Sequence, residues 1–82
     1  MQTVHVRLFA RFRDVFGVES IDVGMAEPAT VEELRTLLSL LKPETAALLA
    51  RSQIAINSEL ASDSTVITFS DEIAILPPVS GG

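Results

Sequence analysis

Residues 30–41 read Thr30-Val31-Glu32-Glu33-Leu34-Arg35-Thr36-Leu37-Leu38-Ser39-Leu40-Leu41, and the reading of this stretch sets the architecture. Val31, Leu34, Leu37, Leu38 and Leu41 recur at helical period and form one apolar stripe. Glu32, Arg35, Thr36 and Ser39 turn away from it, and Leu40 lies off it. Thr30 followed by Glu33 has the spacing of a capping box, in which hydroxyl and carboxylate each satisfy a backbone N–H at the helix start. Glu32 and Glu33 also suit the positive end of the helix dipole. Pro43 forbids simple continuation but can open a new helix, so a second, short helix is expected over 44–51.

A helix with one apolar face needs an apolar surface to lie on, and the flanking segments supply strands. Residues 3–10 alternate, with Val4, Val6 and Leu8 on one face and His5, Arg7 and Phe9 on the other. Residues 11–16 suit a short helical turn, Phe12 and Phe16 sharing a side and Gly17 ending it. A second strand is expected over 18–23, with Ile21 and Val23 facing the same way, followed by a loop over 24–29 that contains Pro28. Beyond the helices, residues 53–57 read as a strand with Ile54 and Ile56 inward. Asn57-Ser58 supplies turn chemistry, and residues 59–61 form a brief return strand. Residues 62–70 look irregular, anchored by Val66 or Ile67. Residues 71–76 are the last strand, with Ile73 and Ile75 on one face and Glu72, Ala74 and Leu76 on the other. Strands on both sides of one long helix give an α+β fold, a sheet with its helix on one side. Strands on either side of the helix can pair in parallel only through such a crossover.

Eighty-two residues, 48% hydrophobic and 21% charged, make one small globular domain. Cysteine is absent, which removes disulfides, thiolate nucleophiles and cysteine-ligated metals. Six basic against eleven acidic residues give a net charge of −5, so nucleic acid is not an expected partner. No stretch approaches the roughly 18 apolar residues of a membrane span. The start has no basic segment leading into an apolar run, so neither a membrane nor a signal peptide is expected, and the expected location is cytoplasmic.

The side chains offer little chemistry. His5 is the only imidazole, with no acidic residue within eight positions, and reads as an exposed strand residue rather than a ligand or acid–base group. Serines lack nucleophile-elbow spacing, Gly17 and Gly24 are isolated, and Glu32-Glu33 is explained by the helix end. No metal site is expected. What remains is Pro77-Pro78-Val79-Ser80-Gly81-Gly82. A frayed end or residues left by cloning is one reading of this segment. The other is a functional tail: two prolines favour an extended conformation, so six residues reach about 15–19 Å from the last strand. Val79 extends the stiff part, and Gly81-Gly82, without side chains, can thread a narrow channel. The Gly82 α-carboxylate becomes an electrophile once activated, for example as an acyl-adenylate, in another protein's pocket.

With Leu8-Phe9-Ala10 and Arg13 near its start, Thr30-Val31-Glu32-Glu33-Leu34 opening the helix, Ile56-Asn57, Asp71-Glu72 and the ending Leu76-Pro77-Pro78-Val79-Ser80-Gly81-Gly82, the chain resembles the small-subunit family of molybdopterin synthases along its whole length. These are ubiquitin-like β-grasp sulfur carriers. Where such proteins usually have Gly before the acidic pair, this chain has Phe69-Ser70, and Ile75-Leu76 replace the aromatics common before the double proline.

The resemblance implies a β-grasp domain over 1–76, a mixed sheet packed on one main helix, and a flexible Gly-Gly tail over 77–82. It further implies a cycle in which a ubiquitin-activating-type adenylyltransferase uses ATP and magnesium to adenylate Gly82, and a sulfur donor protein converts it to a thiocarboxylate. The tail (Pro77, Pro78, Val79, Ser80, Gly81) then inserts into the large subunit of molybdopterin synthase, in an expected heterotetramer. There the sulfur adds to a pterin precursor. The carrier itself binds no cofactor, and the catalytic residues belong to the large subunit. A thiamine-pathway or other ubiquitin-like sulfur carrier or modifier is the alternative. Phe9, Leu60 and Leu76 are the expected docking patch, if the first and last strands are neighbours; the competing reading makes Phe9 or Leu60 core. Arg7, Arg11 and Arg13 cluster early, whereas residues 52–82 contain four acids and no base. That asymmetry serves solubility or steers the acidic half toward basic partner surfaces.

Overall fold

The computed structural model describes residues 2–68 and 70–78. In chain order the elements are β1 (Gln2–Leu8), α1 (Arg11–Phe16), β2 (Ser20–Met25), β3 (Ala29–Thr30), α2 (Val31–Leu41), a 3-10 turn (Pro43–Thr45), α3 (Ala46–Arg51), β4 (Gln53–Ile56), β5 (Glu59–Ala61), β6 (Val66–Ile67) and β7 (Glu72–Leu76). Strict alternation along β1 buries Val4, Val6 and Leu8 and leaves His5 and Arg7 outside. That pattern makes β1 an inner strand with one covered face. β2 pairs with it antiparallel, Val4 opposite Val23, and β7 pairs with it parallel, Leu8 opposite Ile75. β4 lies antiparallel to β7 and β5 to β4, giving the five-stranded order β2-β1-β7-β4-β5.

The capping box forms as the sequence requires. Glu33 N–H donates to the Thr30 hydroxyl at 3.3 Å, and Thr30 N–H donates to the Glu33 carboxylate at 3.0 Å. The next free donors are met from outside the helix: Val31 N–H reaches the Thr65 carbonyl and Glu32 N–H the Asp63 carbonyl. Arg35 ties the same loop down, donating to the Asp63 carboxylate at 2.9 Å and to the Leu49 carbonyl. Val31, Leu34 and Leu38 are fully buried against the inward residues of the sheet, and Phe12 and Leu49 close the core from α1 and α3. Gly17 ends α1 in the left-handed region, φ 77°, with its N–H on the Arg13 carbonyl at 2.8 Å.

The structure departs from the sequence reading at several points. β1 ends at Leu8, two residues short of the strand expected over 3–10, because the backbone turns at Ala10, φ 51°, into α1. β2 lies two residues later than expected, because its register on β1 makes Met25 an inward residue and leaves Val18 exposed before the ladder. The second helix opens as a 3-10 turn at Pro43 and becomes α-helical at Ala46. β3 and β6 form a separate two-stranded antiparallel ladder, Ala29 opposite Ile67, where loops were expected. Leu41, although on the apolar stripe by angle, is exposed: it is the last residue of α2, where the chain breaks toward Pro43.

Candidate functional site: the tail root and the outer sheet face

β7 is the central strand, flanked by β1 and β4, and it runs directly into the prolines. Leu76 and Pro77 are half-buried and Pro78 is exposed; Val79, Ser80, Gly81 and Gly82 lie outside the described residues. The tail is therefore launched from the most firmly held part of the sheet.

The face of the sheet away from α2 carries two kinds of surface. Across one edge run charges: His5 Nδ1 lies 2.7 Å from Asp22 Oδ1 on the neighbouring strand, and Arg7 Nη1 lies 3.5 Å from Glu72 Oε1. Each of these side chains is more than half exposed, so the pairs add little to stability. Toward the tail the surface turns apolar. Ala55 sits opposite both Ala74 and Leu60, and Phe9, which follows Leu8 opposite Ile75, lines up with Leu76. Phe9, Leu60 and Leu76 border one shallow depression with Ala55, Ala74 and Ser58. Small residues at 55 and 74 are what leave it hollow. The Arg7 guanidinium stands 5.3 Å from the centre of the Phe9 ring, capping that side of the depression with a cation–π contact. Phe9 is half-buried and Leu60 is 63% exposed, so neither is core.

A clasp that sequence reasoning did not anticipate positions Leu60. The β4–β5 turn places Asn57 and Ser58 at φ 52° and 71°, the two left-handed residues of a type I′ hairpin. Asn57 N–H donates to the Glu72 carbonyl at 2.8 Å, and Glu72 N–H donates to Asn57 Oδ1 at 2.9 Å. Asn57 Nδ2 donates to Asp71 Oδ1 at 2.9 Å, and Thr68 N–H to Asp71 Oδ2 at 2.8 Å. The Thr68 backbone N–H, helped by the side chains of Asn57 and Thr68 and opposed by partial burial, holds the Asp71 carboxyl below the usual carboxylate range. The hairpin bearing Leu60 is thereby fastened to the start of the strand bearing Leu76. The signal was present in Ile56-Asn57 and Asp71-Glu72, but their mutual contact joins positions 14 and 15 residues apart.

Among the described residues no group of three or more His, Asp or Glu side chains is placed to hold a metal ion, and the one imidazole–carboxylate pair stands on an open face. Among them, too, no helix is long and apolar enough to cross a membrane.

A mixed sheet folded over one capped helix, with its last strand central and continuing into Pro77-Pro78, is the ubiquitin-like β-grasp architecture. Residues 6–82 match the ThiS family. Molybdopterin synthase sulfur carrier subunits from Arabidopsis thaliana and Dictyostelium discoideum are 34% and 38% identical to this chain, over 96% and 94% of it and 82% and 93% of their own lengths. Among solved structures, small archaeal modifier protein 1 from Methanosarcina acetivorans superposes with a TM-score of 0.82 at 28% identity, covering all of this chain and 98% of that one. The complex of subunits 1 and 2 of molybdopterin-converting factor from Helicobacter pylori gives a TM-score of 0.69 at 29% identity, over 99% of this chain and 100% of that one. The chain belongs to the ThiS family, and its curated relatives are sulfur carrier subunits of molybdopterin synthase.

Proposed function

We propose that this chain is the sulfur carrier subunit of a molybdopterin synthase, with the Gly82 carboxylate as the group that is charged and discharged. The observation that carries the reading is the launch of Pro77-Pro78 from the central strand, beside an apolar depression bordered by Phe9, Leu60 and Leu76. A fixed docking face at the root of a segment that opens with two prolines and finishes in two glycines is what a protein needs if chemistry is to be done on its terminus inside a partner. The near full-length likeness to sulfur carrier subunits supports the same reading.

In this scheme an adenylyltransferase of the ubiquitin-activating type binds ATP and magnesium. The Gly82 carboxylate attacks the α-phosphate, and pyrophosphate leaves. Sulfide-level sulfur, HS−, supplied by a donor protein attacks the acyl carbon, the bond to AMP breaks, and a terminal thiocarboxylate remains. The large subunit then takes in Pro77, Pro78, Val79, Ser80 and Gly81, so that the terminal sulfur meets the pterin precursor. Phe9, Leu60 and Leu76 dock on its surface, and its own residues supply acid–base catalysis. The carrier needs only to present and to fit.

Incubation with the activating enzyme, ATP, magnesium and a sulfur donor, followed by intact-mass measurement, tests the charging step. One oxygen replaced by sulfur at the C-terminus is the expected result; an unchanged mass rejects the carrier reading. The likeness to small archaeal modifier protein 1 favours a second reading, a ubiquitin-like modifier. Isopeptide linkage of Gly82 to lysines of other proteins, without sulfur delivery to a large subunit, would distinguish it.

A further inference from the structure

Two arginines stand at the end of the sheet where the last strand leaves it. β7 runs parallel to β1 with Leu8 opposite Ile75, and antiparallel to β4 with Gln53 opposite Leu76. Arg11 comes three residues after Leu8 and Arg51 two residues before Gln53, so both lie at the end of the sheet from which β7 continues into Pro77. The backbones diverge there, since α1 begins at Arg11 and α3 ends at Arg51. Even so, both arginines line one open groove, together with Val15, Leu48 and Glu44. Both are exposed, and among the described residues neither forms an ion pair, with Glu44 or with any other carboxylate. In a chain with six basic and eleven acidic residues, two guanidiniums without an ion pair among the described residues, at the end of the sheet where the tail begins, run against the overall charge.

We infer that Arg11 and Arg51 form a cationic collar that docks carboxylates at the mouth of the channel through which the large subunit takes in the tail. The inference rests on the proposed insertion of the tail into that partner. The chain's own terminal carboxylate is the less fitting occupant, because Pro77-Pro78 stiffens the root against folding back. Guanidinium groups match carboxylates in a two-point geometry, and Val15 and Leu48 offer apolar contact beside them. The collar is lined by α1 and α3, whereas the Phe9 depression is on the sheet face. Only a partner that surrounds the root reaches both. A large subunit that keeps water from a thiocarboxylate must close round it in that way.

The test uses the full-length chain and the purified large subunit, with association rates measured by stopped flow over a range of salt concentrations. The double variant R11E/R51E should associate about tenfold more slowly at low salt, the difference shrinking as salt rises. R11K/R51K, which keeps the charge, should recover most of the rate. Equal rates for R11E/R51E and the unmodified chain would overturn the collar, as would a loss that salt does not reduce. A slower association confined to the activating enzyme would also overturn it. If the unmodified chain itself fails to bind the large subunit, it is the proposed function that fails, and the two failures are distinguishable. Both side chains are exposed, so an unchanged thermal midpoint is expected to show that the variants fold.

Discussion

Leu60→Ala should separate docking from folding. Leu60 projects from the β4–β5 hairpin with 63% of its surface in water. Full burial of a leucine side chain is worth about 1.5–3 kcal/mol, so covering the exposed two-thirds in a complex is worth about 1–2 kcal/mol. At roughly 1.4 kcal/mol per factor of ten, the variant should bind the large subunit about five to thirty times more weakly. Its stability should hardly move, because exposed truncations away from caps and clasps usually fall within about 0.5 kcal/mol. Isothermal titration with the large subunit gives the first quantity and a urea unfolding curve the second. A dissociation constant within twofold of the unmodified chain's would refute the reasoning. So would an unfolding midpoint that falls as far as for a core truncation, since that would make Leu60 a structural residue.

Leu34→Ala should do the reverse. It empties a fully buried site under α2 at a loss of about 2–5 kcal/mol, a large share of what a domain this small possesses, whereas Leu40→Ala on the same helix should change the thermal midpoint little. Comparable shifts for the two would contradict the burial pattern. Thr30→Ala breaks the capping box and should lower stability by about 1 kcal/mol, read from chemical denaturation. Asp71 has a folded-state pKa below its ordinary 3.8. Its contribution is therefore complete above the unfolded value and lost as pH falls through the folded one. The stability gap between the unmodified chain and Asp71→Asn should be constant from neutrality down to about pH 5 and close on further acidification. A gap that widened in acid would reverse the assignment.

How much of this was legible in the sequence depended on whether the signal was local. Thr30 and Glu33 announce the start of α2 because both halves of the cap lie within four residues. Asn57-Ser58 marks the hairpin because its turn type needs left-handed backbone at two adjacent positions. The parallel β1–β7 pairing was an expectation of the family resemblance, since pattern alone shows only that a crossover permits it, and it brings Phe9 and Leu76 to one depression. Nothing periodic marks β3 and β6, which have two residues each and gain their order from one another. The His5–Asp22 contact spans 17 residues and depends on strand register, so no neighbour in sequence foretold it. Arg35 looks like a solvent-facing residue of α2, yet it satisfies a carbonyl at the end of α3 and a carboxylate in the loop before β6. Tertiary pairing decided all three.

The account rests on the terminal atom of Gly82. A chain bearing a synthetic C-terminal thiocarboxylate, and one bearing a carboxamide, can each be mixed with the large subunit and the pterin precursor, with ATP and activating enzyme omitted. Quantifying the dithiolene product by mass spectrometry should show sulfur delivered from the thiocarboxylate chain, which returns to the carboxylate, and none from the carboxamide. Product at equal yield from both, or a thiocarboxylate that keeps its sulfur, would contradict it.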